Sequence, residues 1–158
     1  MTKRIFGSSI ILVLTLAAMQ VIASAQETPG MEGVWLAQVT PVDCQTGAII
    51  ANAVPFRGLN MFGHDGSLTN EAGFLVSNPL RSSGVGTWKH TQGHTYTSRF
   101  RFFRYNPDGS MLAMREVTFT IVLNGDQYTS KDKFQDFDAN NHPLPAMGCN
   151  IEAGTRLE

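Results

Sequence analysis

Apolar and polar residues alternate along most of this chain, and short clusters of turn-forming residues interrupt the alternation. A period of two is typical of antiparallel strands with one buried face. Asp65-Gly66, Asn124-Gly125 and the segment 106–109 are hairpin-turn sequences. The pattern predicts an all-β fold with little or no helix and eight strands, at residues 33–40, 56–63, 68–72, 85–90, 94–105, 110–123, 127–137 and 146–157.

The predicted strand 127–137 indicates which side faces inward. Its odd-numbered positions are polar from Gln127 to Gln135, so its even-numbered positions form the inner face. Residues opposite each other in a hairpin share a face, so the turns carry this assignment back to the two preceding strands. Arg99 and Arg101 then face outward. The predicted inner face contains Tyr96, Ser98, Phe100, Phe102, Arg115, Val117, Phe119, Ile121, Leu123, Tyr128, Ser130, Asp132 and Phe134.

A series of hairpin-connected strands predicts an antiparallel up-and-down barrel, with a sandwich as the alternative. Cys44 follows the first strand and Cys149 lies near the start of the last. These positions become neighbours when a barrel closes, so we expect a Cys44–Cys149 disulfide; two free thiols are the alternative. The same pairing places Trp35 opposite Glu158, one step from Arg156.

The N-terminal segment has the features of a secretory signal peptide. Lys3 and Arg4 precede an apolar run at 10–18, and Ala23-Ser24-Ala25 matches a cleavage site. We therefore expect a signal peptide at 1–25 and a secreted or periplasmic protein that leaves the membrane after cleavage. A retained anchor is the alternative, although a span needs about 20 apolar residues. Residues 26–32 are predicted to form a short loose leader, and residues 33–158 a single barrel domain.

Charge and short motifs argue against nucleic acid and metal. Without Lys3 and Arg4 the chain carries 10 basic and 13 acidic residues, whereas nucleic-acid binding needs a basic surface. The arginine–phenylalanine alternation at 99–102 places the two residue types on opposite faces, which fits an amphipathic strand. His90, His94 and His64 are candidate metal ligands, but His64 lies several strand widths away. No metal, cofactor or nucleic-acid partner is predicted.

Residues near both ends of the predicted barrel carry a family resemblance. Gly33-Val34-Trp35 opens the first strand, and the segment 154–158, Gly-Thr-Arg-Leu-Glu, ends the last. These segments resemble those of the calycin barrels, the lipocalins and fatty-acid-binding proteins, and the chain is similar to uncharacterised secreted bacterial proteins with this barrel. The resemblance implies that Arg156 packs over Trp35 and that the first strand starts at the closed end of the barrel.

That orientation divides the connections between the two ends. The connections at 65–66, 91–93 and 124–126 fall at the closed end, and all are tight. Those at 41–55, 73–84, 106–109 and 138–145 fall at the open end, and three of these four are long. Long loops at one end are typical of a barrel with one binding mouth.

Several polar residues are expected inside the barrel, among them Arg115, Asp132, Asn150 and Glu152. Buried charges need partners. These residues therefore either pair with one another or orient the polar head of a ligand, and Arg115 would suit a carboxylate. The candidate ligand-binding residues are Tyr96, Phe100, Phe102, Arg115, Phe119, Tyr128, Asp132, Phe134, Asn150 and Glu152.

The sequence contains no nucleophile elbow, P-loop or metalloprotease helix, and we assign no catalytic residue. It favours non-covalent binding of a small, largely apolar ligand over catalysis. One alternative is a barrel isomerase or cyclase that uses Asp132, Glu152 and Tyr128 as acid–base groups. Another is a structural or interaction domain with a filled core. The sequence indicates neither the ligand nor the oligomeric state.

Overall fold

The computed structural model describes residues 30–73 and 80–157, and this part of the chain is all-β. Its antiparallel strands pair in sequence order and close into an up-and-down barrel, because β1 pairs with both β2 and β8. The predicted fold class is confirmed. The strands are β1 (Gly33–Val42), β2 (Phe56–Phe62), β3 (Ser67–Gly73), β4 (Gly84–Gln92), β5 (Thr95–Tyr105), β6 (Met111–Asn124), β7 (Gln127–Phe137) and β8 (Pro143–Arg156).

Burial alternates along the strands as the sequence pattern predicts. In β7, Tyr128 and Asp132 are buried while Lys131 is exposed. Arg99 and Arg101 of β5 lie on the outside, where Arg101 Nη2 approaches a Glu116 carboxylate oxygen at 2.6 Å. A register shift between Arg104 and Tyr105 ends the regular pairing of β5 with β6.

The connection between β4 and β5 differs from the expected three-residue loop at 91–93. Pairing continues to Gln92, and β5 resumes at Thr95, so the turn itself is Gly93-His94. A register shift between His90 and Gln92 accommodates the extra residue. Gly93 has a φ of 52°, a conformation that glycine adopts without steric penalty.

The barrel closes between β1 and β8 with a register different from the expected one. Trp35 pairs with Arg156 rather than with Glu158, and Val42 pairs with Cys149. The prediction placed Cys44 directly opposite Cys149, but Cys44 lies beyond the last paired residue of β1. The two cysteines still meet in disulfide geometry, with their Cα atoms 5.2 Å apart.

Residues 30–32 belong to the closed end of the barrel and are not loose. Met31 is fully buried, at 0% exposure, and its carbonyl accepts the Trp35 indole N–H at 3.0 Å. Arg156 donates to the Gly30 carbonyl at 2.7 Å, and its guanidinium carbon lies 4.2 Å from the Trp35 ring centroid. The rest of the predicted leader and the predicted signal peptide lie outside the described residues.

The closed half of the barrel interior is packed with side chains. Trp35, Phe62, Leu68 and Ile121 are each at most 2% exposed. The Tyr128 ring lies directly on the backbone of Gly154, where an added Cβ would stand 2.0 Å from a ring carbon. Any cavity inside the barrel is therefore confined to its open half. Within the described ranges, no helix is long and apolar enough to cross a bilayer.

Candidate functional site

A cavity of about 390 Å³ occupies the open half of the barrel. Apolar residues make up most of its wall, and many of them belong to β1, β5, β6 and β7. The cavity-facing residues alternate with outward-facing residues along the strands, because successive side chains of a β-strand point to opposite faces of the sheet. Its apolar lining includes Val39, Phe100, Phe102, Val117, Phe119 and Phe134.

Eight of the ten predicted ligand-binding residues line this cavity: Phe100, Phe102, Arg115, Phe119, Asp132, Phe134, Asn150 and Glu152. Tyr96 and Tyr128 do not. Tyr96 lies in the packed closed half, with its ring centroid 5.8 Å from that of Trp88. Tyr128 lies beneath the cavity floor and reaches the site through its hydroxyl group. Both residues have the predicted inward parity, but the filled lower core separates them from the open space.

Three guanidinium groups and one carboxylate lie in or beside the cavity wall toward its mouth. Asp136 accepts hydrogen bonds from Arg115 at 2.6 Å and from Arg104 at 2.5 Å. Burial opposes its ionisation, but these hydrogen bonds and charges lower the pKa of Asp136. Arg115, which we expected to be available for a ligand carboxylate, is therefore already paired. The guanidinium carbon of Arg81 lies 3.8 Å from the centroid of the Phe102 ring. The three guanidiniums outnumber their neighbouring carboxylates, Asp136 and Glu71, by one.

A chain of hydrogen bonds runs from Arg81 to the cavity floor. Arg81 donates to Asn70 Oδ1 at 2.9 Å, Asn70 donates to Asn60 Oδ1 at 2.7 Å, and Asn60 donates to Glu152 Oε1 at 2.7 Å and to the Tyr128 hydroxyl at 2.8 Å. Tyr128 also donates to Glu152 Oε1. Arginine has no acceptor atom, so its contact fixes the orientation of both amides. All donors point toward Glu152, and the direction does not depend on an arbitrary amide assignment.

Two buried carboxyl groups, Asp132 and Glu152, line the cavity floor at 2% and 4% exposure. Burial, reinforced by the charge of Glu152, raises the pKa of Asp132 to about 8. Burial raises the pKa of Glu152 to about 7, against the hydrogen bonds from Tyr128 and Asn60. Burial first, and then the neighbouring Glu152, also raise the pKa of Tyr128, so its phenol stays protonated. The floor therefore holds an exchangeable proton near neutral pH.

Among the carboxyl groups that the structure describes, Asp132 is the one with an oxygen that is both buried and without a hydrogen-bond partner. Its Oδ1 accepts the Ser130 hydroxyl at 2.5 Å. Its Oδ2 is buried and has no hydrogen-bond partner among the residues that the structure describes. Buried polar atoms are nearly always paired in native proteins, so an exception at a cavity wall marks a contact point for a ligand atom.

Five residues of this polar system were missed by the sequence analysis, although the sequence held signals for four of them. Asn60 and Asn70 pair directly across β2 and β3 at inner positions. Arg104 has the parity of Phe102, and Asp136 pairs with Arg115 across β6 and β7. Arg81 belongs to a connection rather than a strand, so strand parity could not place it.

The three candidate metal-binding histidines lie near the closed end, away from the cavity. His64 has a side chain that is 97% exposed, and His90 Nε2 approaches the Gly93 carbonyl at 2.7 Å. Across residues 30–73 and 80–157, no group of three or more His, Cys, Asp or Glu residues is arranged to hold a metal ion.

Comparison with known proteins leaves the architecture as the main guide to function. No protein-family model matches this sequence, and a search of curated proteins finds no significant match. The resemblance to calycins consequently remains a proposal that rests on the eight-stranded closed barrel and on the residues at its closed end.

Proposed function

We propose that this protein is an exported, lipocalin-like barrel that binds a small, largely apolar molecule non-covalently in its open-end cavity. The observation that carries the proposal is the cavity of about 390 Å³. Small-molecule sites typically enclose about 300–1,000 Å³ and combine an apolar wall with a few polar groups. Phe100, Phe119 and Phe134 would supply apolar contact, and Arg81 and Asp132 would supply polar contact.

Two further features support the architectural part of the proposal. Arg156 stacks over Trp35 at the closed end, as the resemblance to calycins implies. The Cys44–Cys149 pair is consistent with an oxidising extracellular compartment, which agrees with the signal peptide predicted at 1–25. A structural domain with a filled core has less support, because the open half of the interior contains space of ligand size.

Native mass spectrometry of the purified, disulfide-bonded protein tests the binding proposal. Incubation with excess decanoic acid is expected to add the mass of one decanoic acid per chain, because an alkyl chain fits the apolar wall and a carboxylate fits the positive mouth. Butyric acid is the matched control: it has the same head group but too little apolar surface, at roughly 0.8 kcal/mol per buried CH₂. Bare polypeptide after both incubations would contradict the proposal.

A second candidate function is acid–base catalysis on a bound carbonyl compound. The observation that favours it is the pair of buried carboxyl groups, Asp132 and Glu152, whose raised pKa values lie near neutral pH. In an enolisation, Asp132 would protonate the carbonyl oxygen while Glu152 removed the proton on the neighbouring carbon. Protein-dependent exchange of those carbon-bound hydrogens for deuterium in D₂O would distinguish this enzyme from a simple binder.

A further inference from the structure

The open position on Asp132 Oδ2 indicates what kind of atom the cavity recognises. The other interior carboxyl groups already have partners: Asp136 has two guanidiniums, and Glu152 has Tyr128 and Asn60. Asp132 lines the cavity at 2% exposure, and its Oδ2 is a buried carboxyl oxygen without a hydrogen-bond partner among the described residues. Leaving such an atom unpaired costs about 1–3 kcal/mol, which a complementary ligand atom would recover.

The hydrogen bonds determine which carboxyl group of the pair keeps a proton. Glu152 Oε1 receives two donors, at the end of the chain that begins at the Arg81 guanidinium. Donors to a carboxylate stabilise its charged form. Asp132 receives only the Ser130 hydroxyl, on Oδ1. Two adjacent buried negative charges repel strongly, so the proton that the pair retains belongs on Asp132, and its vacant position is Oδ2.

The charges around the cavity argue against a cationic ligand. An amine could in principle satisfy an ionised Asp132, but it would lie in a cavity lined by three guanidiniums, those of Arg81, Arg104 and Arg115. Asp136 pairs with Arg104 and Arg115, and Glu71 lies near Arg81, so the guanidiniums outnumber these carboxylates by one. Arginine can only donate hydrogen bonds, and a protonated Asp132 also donates through Oδ2. The cavity is thus rich in donors, and it fits a ligand that brings acceptors.

We infer that Asp132 donates a hydrogen bond from Oδ2 to a carbonyl-type oxygen of the bound molecule, so that the cavity selects apolar carbonyl compounds over hydrocarbons of the same shape. This inference rests on the proposed binding function and adds the chemical class of the ligand. It requires no covalent step. Asp132 acts here as a specificity-determining residue.

The hydrogen bond should depend on pH because Asp132 loses its donor when it ionises. The titratable groups around it are Glu152 on β8, Tyr128 on β7 and three arginines of the cavity wall. These are Arg81, Arg104 and Arg115, which have Asp136 and Glu71 as carboxylate neighbours. Burial raises the pKa of Tyr128 and lowers the pKa of Arg81 only to about 10, so Tyr128 stays neutral and Arg81 stays mostly charged between pH 6 and pH 9. The raised pKa values of Asp132 and Glu152, about 8 and about 7, fall within that range, whereas an uncharged ligand keeps the same charge throughout it.

A matched pair of neutral probes tests the inference: 2-acetylnaphthalene, and 2-isopropenylnaphthalene, in which a CH₂ group replaces the carbonyl oxygen. Equilibrium dialysis at pH 6 should give roughly fivefold to tenfold tighter binding of the ketone, as expected for one hydrogen bond. At pH 9 the ketone should lose most of that advantage, whereas the affinity for the hydrocarbon should change little.

Two variants assign the effect to Asp132. Asp132→Asn keeps a donor at the same place but cannot ionise, so ketone binding should become independent of pH. Glu152→Gln should retain a pH-dependent step, shifted to lower pH because the charge of Glu152 no longer opposes ionisation of Asp132. Equal, pH-independent binding of both probes by the unmodified protein would overturn the inference and leave the proposed function intact. Failure to bind either probe would count against the proposed function itself.

Discussion

Asp132→Asn is expected to stabilise the protein by about 5 kcal/mol at pH 9 and by less than about 1 kcal/mol at pH 4. Burial and the charge of Glu152 raise the pKa of Asp132 to about 8 in the folded protein, whereas an unfolded aspartate has a pKa of about 3.9. Between these values the folded state binds more protons than the unfolded state. Stability therefore falls as the pH rises from about 4 to about 8, and an uncharged asparagine removes that loss.

Urea unfolding of both proteins at pH 4, 6 and 9 measures this effect. Asp108→Asn is the matched control, because Asp108 lies in an exposed turn where hydrogen bonds from Ser110 lower its pKa. That replacement should not stabilise the protein at pH 9. A gain from Asp132→Asn that is the same at pH 4 and pH 9 would show that Asp132 ionises normally in the folded protein. The expected instability is typical of functional sites, which often retain unfavourable buried groups.

Loss of the Cys44–Cys149 bridge is expected to lower the free energy of unfolding by about 4 kcal/mol, because the bridge closes a loop of roughly 100 residues in the unfolded chain. The relevant comparison is chemical unfolding of the unmodified protein and of the Cys44→Ala/Cys149→Ala variant. A reducing agent should destabilise the unmodified protein to the level of the double-alanine variant, and it should leave the variant unchanged. A difference below about 1 kcal/mol would contradict the prediction.

The Cys44–Cys149 disulfide also lies beside the proposed binding cavity. Cys149 and its neighbour Asn150 both line the cavity, and Cys44 begins the long connection at the open end. The disulfide therefore anchors that connection to β8 next to the cavity. Its loss should weaken ligand binding as well as stability.

The fold was largely predictable because each strand of this barrel has one buried face. Strict alternation in β7 fixed its inner side, and the tight turn at Gly125-Asp126 transferred that assignment to β6 without ambiguity. The register between β1 and β8 was harder to predict from the sequence, because no turn connects these two strands. The disulfide alone could not fix it, because two cysteines reach each other without being directly opposite.

The residues of the cavity wall were predictable from the sequence, but the hydrogen-bond network was not. Parity placed Phe100, Phe119 and Asp132 inside, but parity does not say how deep the closed-end core extends, and Tyr96 lies within that core rather than in the cavity lining. The hydrogen-bond chain starts at Arg81, outside any strand. The direction of this hydrogen-bond chain follows from three successive side-chain contacts, which cannot be read from the pattern of residues along the sequence.

Binding of 1-anilinonaphthalene-8-sulfonate to the folded protein tests the central claim, ligand binding in the barrel cavity, most directly. Val117 of β6 lines the cavity, whereas Val122 of the same strand is 50% exposed on the outside. Val117→Trp should fill the space and weaken binding at least about 50-fold, while Val122→Trp should leave it unchanged. Circular dichroism should confirm that both variants remain folded. Equal affinity in the two variants, or no binding by the unmodified protein, would contradict the account.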